Sequence, residues 1–312
     1  MTKADGKTIY DEITAQIVKA IERGASGWQM PWLVAHRRPV NVVSERGYRG
    51  INVLVLWARA QDRGYKSEVW GTYRQWQAVG AQVRKGEHGT GIVYYKRITL
   101  SDHPRSSTET NDDSELTDSS ESTSFFLTRV SNVFNAAQVK GGWWNPNSTV
   151  PVQSLANKIS RAEAFVARTG ARIERGGSQA YYSVVEDRIQ IPPMEAFVGT
   201  GTSSATEAYY GTMFHELCHW SGASHRLARD FSGRFGSQAY AMEELVAELG
   251  SAFLCADLGV SPSPRADHAA YIADWLRVLK SDKRAIVTAA SNANQASDYL
   301  SDPPADGLKA VA

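Results

Sequence analysis

The sequence predicts an α+β protein built as two domains, and three observations carry that reading: length, charge segregation and a change of hydrophobic pattern. At 312 residues the chain is about twice a common single-domain length. Residues 1–100 hold 16 Lys/Arg against 8 Asp/Glu, while residues 101–124 hold one Arg against seven acids, so the overall charge of +1 hides a basic first third and a short acidic tract. Short β-branched and aromatic runs fill the first half, and longer helical patterns fill the second. The boundary falls at NPNSTVPV, which gives domains at 1–145 and 151–300. An apolar fraction of 42% excludes a wholly disordered chain, and no apolar run approaches the roughly 20 residues of a bilayer crossing. Cys218 and Cys255 cannot form a disulfide framework, and MTKADGKTIYDE lacks the apolar core of a signal peptide, so the expected compartment is the cytoplasm.

In chain order, Ile9, Ile13, Ile17, Ala20 and Ile21 recur at helical spacing and stop at Gly24, predicting an amphipathic N-terminal helix over about 5–23. GIVYYKRITL and SFFLTRVSNVFN read as strands on either side of the tract at 101–124, which has one Leu and no aromatic residue and cannot bury enough surface to order itself. The expectation is a strand pair carrying a disordered acidic insertion, with a domain linker as the alternative. LANKISRAEAFVARTGA predicts a helix, ARIERGG, AYYSVVE and DRIQIPP predict short strands, and Pro192–Pro193 ends the last of them. Helices follow over about 205–256 and 267–280, and the remainder reads as a polar tail.

In the first domain Trp28, Trp32, Tyr48, Trp57, Tyr65, Trp70, Tyr73 and Trp76 alternate with Arg37, Arg38, Arg46, Arg49, Arg59, Arg63, Lys66, Arg74, Arg84 and Lys85. A cationic groove with aromatic faces is what single-stranded nucleic acid needs, since phosphates follow the charge and bases stack on the rings. Each tryptophan taken singly is better explained as core. The segment as a whole points to a nucleic-acid surface.

In the second domain the informative string is HELCHWSGASH, His215 to His225. Residues four apart share one helix face, so His215 and His219 can offer two imidazoles to one metal with Glu216 beside them as a base. The flanking Met213, Phe214, Leu217 and Cys218 suit a buried helix, with Cys218 on another face as a small core residue. A catalytic zinc keeps three protein ligands and an open position. His225 completes HExxHxxGxxH, the metzincin spacing, but Met242 lies at a helix start where a Met-turn would be needed. Glu244 and Glu248 share a face of the helix MEELVAELGSAFLCADLG, and Glu244 is favoured as the third ligand with its partner as an acceptor for a histidine. His225 and Glu248 stay open as alternatives. Glu243, offset by one residue, is expected to face elsewhere.

The stretches PWLVAHRRPVNVVSERGYRGINVLVL, VWGTYRQWQAVGAQVRKGEHGTGIVYYK and VFNAAQV resemble the N-terminal domain of ArdC-type antirestriction proteins of conjugative plasmids, a domain also found in some plasmid primases. The resemblance runs through nearly the whole chain and implies a mixed α/β single-stranded DNA-binding domain followed by a zincin-like metallopeptidase domain. It implies protection of incoming plasmid DNA from host restriction and a protein substrate of unknown identity such as a host restriction component, while the donor set itself points to zinc, with manganese and cobalt as alternatives. The acidic insertion is not part of the family pattern. The alternative function is a single-stranded DNA-binding protein or replication accessory whose zincin domain is not catalytic.

Overall fold

The computed structural model describes residues 14–15, 18, 37–99, 124–142, 154–199, 203–231, 233, 237–260 and 268–303. Strands β1 (Val40–Asn41), β2 (Val69–Thr72), β4 (Thr90–Thr99) and β5 (Ser124–Asn135) form a sheet in the order β1-β2-β5-β4. β1 and β2 run parallel and the other pairs antiparallel. Helix α1 (Ile51–Arg63) covers this sheet, and helix α2 (Tyr73–Ala78) leads into β3 (Ala81–Val83), which pairs antiparallel with β6 (Val139–Gly141) in a small two-stranded sheet. The second half comprises α3 (Leu155–Thr169), the sheet β7-β9-β8 (Arg172–Arg175, Arg188–Ile191 and Tyr181–Ser183), and helices α4 (Ala205–Ser221), α5 (Gln238–Leu258), α6 (His268–Ser281) and α7 (Ala285–Ser301).

Local chemistry sets these limits. α1 stops where Gly64 takes φ 66°, a left-handed turn that costs glycine nothing. α4 opens with a capping box in which Ser204 and Glu207 satisfy each other's backbone N–H groups, and Ser237 caps α5 by accepting from the Tyr240 N–H. β4 pairs with β5 from Thr90 opposite Val133 to Thr99 opposite Ser124, so the two predicted strands are neighbours. Apart from Ser124, the acidic insertion lies outside the described residues, as does most of the predicted N-terminal helix. Thr14, Ala15 and Val18 are helical, and the Thr14 hydroxyl donates to the Lys283 carbonyl at 2.7 Å.

α1 explains how the two halves meet. Ile51, Val53, Leu54, Val55, Leu56 and Trp57 are all buried, so the helix is apolar around much of its circumference and must be covered on more than one side. Leu56 packs with Trp70 and Val133 of the large sheet. Val53, Leu54 and Trp57 join Leu245, Leu249 and Phe253 of α5, Trp275 of α6 and Ile286 and Ala289 of α7 in a single core. Polar ties reinforce this junction, since Arg38 makes a two-pronged ion pair with Asp257 at 2.7 and 2.9 Å and lies 4.8 Å above the Phe253 ring. Among the described residues no helix is long and apolar enough to cross a membrane.

One expectation of the fold needs correction. Residues 285–301 are not a polar tail but helix α7, in which Ala285, Ile286, Ala289, Ala290, Ala293, Ala296 and Leu300 are all 0% exposed. Their spacing is helical, but alanines carry little hydrophobic weight and so disguise a fully packed face. The tryptophans follow the reading of each taken singly as core: Trp57, Trp70 and Trp76 are 5%, 1% and 0% exposed, and their rings pack in the interior. Trp28 and Trp32 lie outside the described residues.

Candidate metal centre

The site begins with the crossing of α4 and α5. A Cβ added at Gly250 of α5 would lie 2.5 Å from the Cys218 sulfur of α4, so glycine is what lets the two helices approach this closely. Cys218 is fully buried and its thiol is pushed well above the usual range by that burial. It serves as packing, as expected.

The crossing brings His215, His219 and Glu244 together, with one ligand atom from each within 4.8 Å of the others. His215 Nε2 lies 3.1 Å from His219 Nε2 and 3.5 Å from Glu244 Oε2, and His219 Nε2 lies 3.6 Å from Glu244 Oε1. Donors about 2.1 Å from one tetrahedral ion are separated by about 3.4 Å, so this triangle has the size such an ion requires. Glu216, 2% exposed, stands on the wall of the adjoining cleft. His225 is 60% exposed and sits 3.4 Å from Asp187, because α4 ends at Ser221 and the chain turns away from the histidines.

Glu243 was expected to face elsewhere, and the structure places it against His219 instead. His219 Nδ1 donates to Glu243 at 3.0 Å, while Arg229 donates to both Glu243 oxygens at 2.9 Å. Adjacent positions on α5 bracket one imidazole, Glu244 at Nε2 and Glu243 at Nδ1, since the two ring nitrogens point in different directions. Arg229 is itself held by the Ser221 hydroxyl at 3.1 Å and the Cys218 carbonyl. Glu248 comes within 3.8 Å of His215 Nδ1, the place expected for an outer acceptor. The doublet Glu243–Glu244 was visible in the sequence, but nothing there ties it to Arg229.

These contacts set the electrostatics. Burial alone would push His219 down, but its bond to Glu243 and the charges of Glu244, Glu243 and Glu216 outweigh it and hold the imidazole above its ordinary value. Burial likewise works to raise Glu244, yet the hydrogen bond from His215 and the two imidazoles bring it down to about 2. Glu243→Gln keeps the shape but removes the charge that orients His219. It is expected to weaken metal affinity between about 10- and 100-fold, read by competition with a coloured chelator.

The cleft of about 340 Å³ is walled by Tyr181, Tyr182 and Val184, with Phe231 and Tyr240 on other sides. Among the described residues β8 is an edge strand, and its Tyr181 and Tyr182 line this cleft. The Tyr182 hydroxyl donates to Asp187 at 2.8 Å, and Arg226 pairs with Asp187 while lying 3.8 Å above the Trp220 ring. The loop after α4 is thereby locked to the β8–β9 turn, which fixes the edge strand beside the histidines.

Comparison with known proteins agrees with this architecture. A family described as the N-terminal domain of anti-restriction factor ArdC matches residues 7–134, and one described as a zincin-like metallopeptidase matches residues 160–292. An uncharacterized protein of Sinorhizobium fredii (strain NBRC 101917 / NGR234), y4eC, is 48% identical over 304 residues, covering 96% of this chain and 94% of the relative. DNA primase TraC of Escherichia coli is 32% identical over 300 residues, which span 94% of this chain but 20% of the primase. The crystal structure of the antirestriction ArdC protein from the R388 plasmid in its metal-free form is similar with a TM-score of 0.70 and 35% identity, over 94% of this chain and 96% of that one. Its Mn(II)-bound structure gives 0.69 and 32%, over 97% and 99%. With two-domain architecture, a zincin-like C-terminal domain and a match along nearly the full length of a solved relative, this chain belongs to the ArdC antirestriction protein family.

Proposed function

We propose that the chain is an antirestriction protein that acts in the cytoplasm on incoming plasmid DNA, with a single-stranded DNA-binding domain over 1–145 and a metallopeptidase domain over 151–300. The observation that carries the peptidase reading is the donor triangle of His215, His219 and Glu244 with Glu216 beside it. Two imidazoles and a carboxylate suit zinc, and manganese and cobalt accept the same donors. The Mn(II)-bound relative supports a divalent ion.

When bound, the ion supplies Lewis acidity that polarises a carbonyl and lowers the pKa of water. The chain supplies the rest. Glu216 accepts the water proton and can return it to the departing amine, as a buried carboxylate facing the cleft is placed to do. The exposed edge of β8 offers backbone groups to an extended peptide segment, which would seat a carbonyl near the histidines. Glu243 and Arg229 hold His219 in the tautomer that leaves Nε2 free.

The DNA reading rests on the basic charge of the first hundred residues and on the ArdC match over 7–134. A salt titration of the full chain against a labelled oligothymidine tests it. The logarithm of affinity should fall linearly with the logarithm of salt, by about 0.7 per phosphate contacted. Absence of binding at low salt, or binding indifferent to salt, would overturn it.

A further inference from the structure

With Trp57, Trp70 and Trp76 in the core, the rings that could stack on bases must come from elsewhere. Tyr73, at the start of α2, is 43% exposed, and its hydroxyl accepts from the Gln82 side chain at 2.6 Å. Gln82 on β3 stands opposite Lys140 on β6, so both side chains project from the same face of that two-stranded sheet. The other face carries Ala81, Val83 and Val139, which pack with Trp76. This small sheet is therefore apolar inward and polar outward, with Tyr73 tethered along its outward side.

Charge gathers at the same place. Arg74 follows Tyr73 on α2, and Lys85 follows β3 in the turn; both are exposed, as is Lys140. None of the three has an ion-pair partner among the described residues, whereas Arg38, Arg49, Arg59, Arg63 and Arg84 all have carboxylates within 4.0 Å. The one acid in this stretch, Glu87, is taken up by Arg84 and Gln138, whose hydrogen bonds hold it below the usual carboxylate range. Cations without partners beside a tethered, exposed ring match a nucleic-acid strand, in which phosphates and base faces alternate.

We propose that single-stranded DNA crosses the outward face of the β3–β6 sheet, with phosphates on Arg74, Lys85 and Lys140 and a base stacked on Tyr73. This assignment rests on the DNA-binding reading above. It is tested in the full chain by anisotropy with a labelled twenty-nucleotide oligothymidine. Tyr73→Ala should weaken binding about tenfold and Tyr73→Trp should restore it. Lys85→Ala with Lys140→Ala should weaken binding at low salt and reduce the salt slope by about 1.4, at about 0.7 per lost contact on a single strand. Tyr94→Ala removes a ring that is 59% exposed on β4 and should leave affinity unchanged. If the wild type binds and the Tyr73, Lys85 and Lys140 variants bind equally well, or if Tyr94→Ala is the damaging change, the surface is wrong while the DNA reading stands. If the wild type itself fails to bind, the DNA reading falls and the surface with it.

Discussion

His219→Ala is expected to strip the protein of its metal. Wild type should hold one equivalent of divalent ion after dialysis, and the variant essentially none, by elemental analysis. The donor triangle loses the vertex that sits 3.1 Å from His215 and 3.6 Å from Glu244, and two remaining donors cannot define a tetrahedral site. Thermal unfolding gives a second readout. A ligand at a hundred times its Kd stabilises the folded state by about 2.7 kcal/mol, so added metal should raise the wild-type midpoint by several degrees and leave the variant unmoved. The fold should survive the substitution, because Glu243 keeps Arg229 as its partner when the imidazole is gone. Glu244→Gln should behave like His219→Ala, whereas His225→Ala should retain the metal, since His225 is held at Asp187. A full equivalent retained by His219→Ala, or lost by His225→Ala, would refute this ligand set.

Much of this centre was legible because its strongest signal is local. The four-residue spacing of His215 and His219 needs only a helix to become a bidentate face, and the apolar flanks Met213, Phe214 and Leu217 announced that the helix is buried. Glu244 could be reached by the same reasoning applied to a second helix. Glu243 could not, because its role depends on where α5 crosses α4 and on Arg229 arriving from the intervening loop. Helical periodicity says which residues share a face, but not that a ring between two faces can use both. α7 was missed for a different reason: its buried face is built largely of alanine, which is packed by proximity to α5 more than by its own hydrophobicity. The tryptophans show the limit of composition. Their alternation with arginines is real, yet Trp76 donates to the Phe134 carbonyl at 3.0 Å from within the core, and Trp57 donates to the Arg37 carbonyl at 2.8 Å. Amphipathic rings are used in the interior when the indole N–H finds a carbonyl there, and only the fold decides which rings are left for a ligand.

Glu216→Gln should separate chemistry from binding. The amide has nearly the volume of the carboxylate, so the packing of a side chain that is 2% exposed is preserved, and it belongs to neither the donor triangle nor the proposed DNA face. What it loses is the capacity to accept a proton from water, a step general-base catalysis typically accelerates by about 10² to 10⁴. Hydrolysis of an unfolded protein substrate by the metal-loaded variant is therefore expected to fall at least about a hundredfold, in kcat rather than in KM, with metal content and DNA affinity unchanged. Cleavage at the wild-type rate would remove Glu216 from the mechanism. Failure of the wild type to cleave any protein, with or without single-stranded DNA, would instead favour a non-catalytic zincin domain attached to a DNA-binding module. Protection in cells discriminates further. If the Glu216→Gln protein still shields incoming DNA while Tyr73→Ala does not, antirestriction resides in strand binding, and the peptidase centre serves a separate substrate. If Glu216→Gln alone abolishes protection with DNA affinity intact, proteolysis is the protective act and the DNA surface delivers the enzyme to where it is needed.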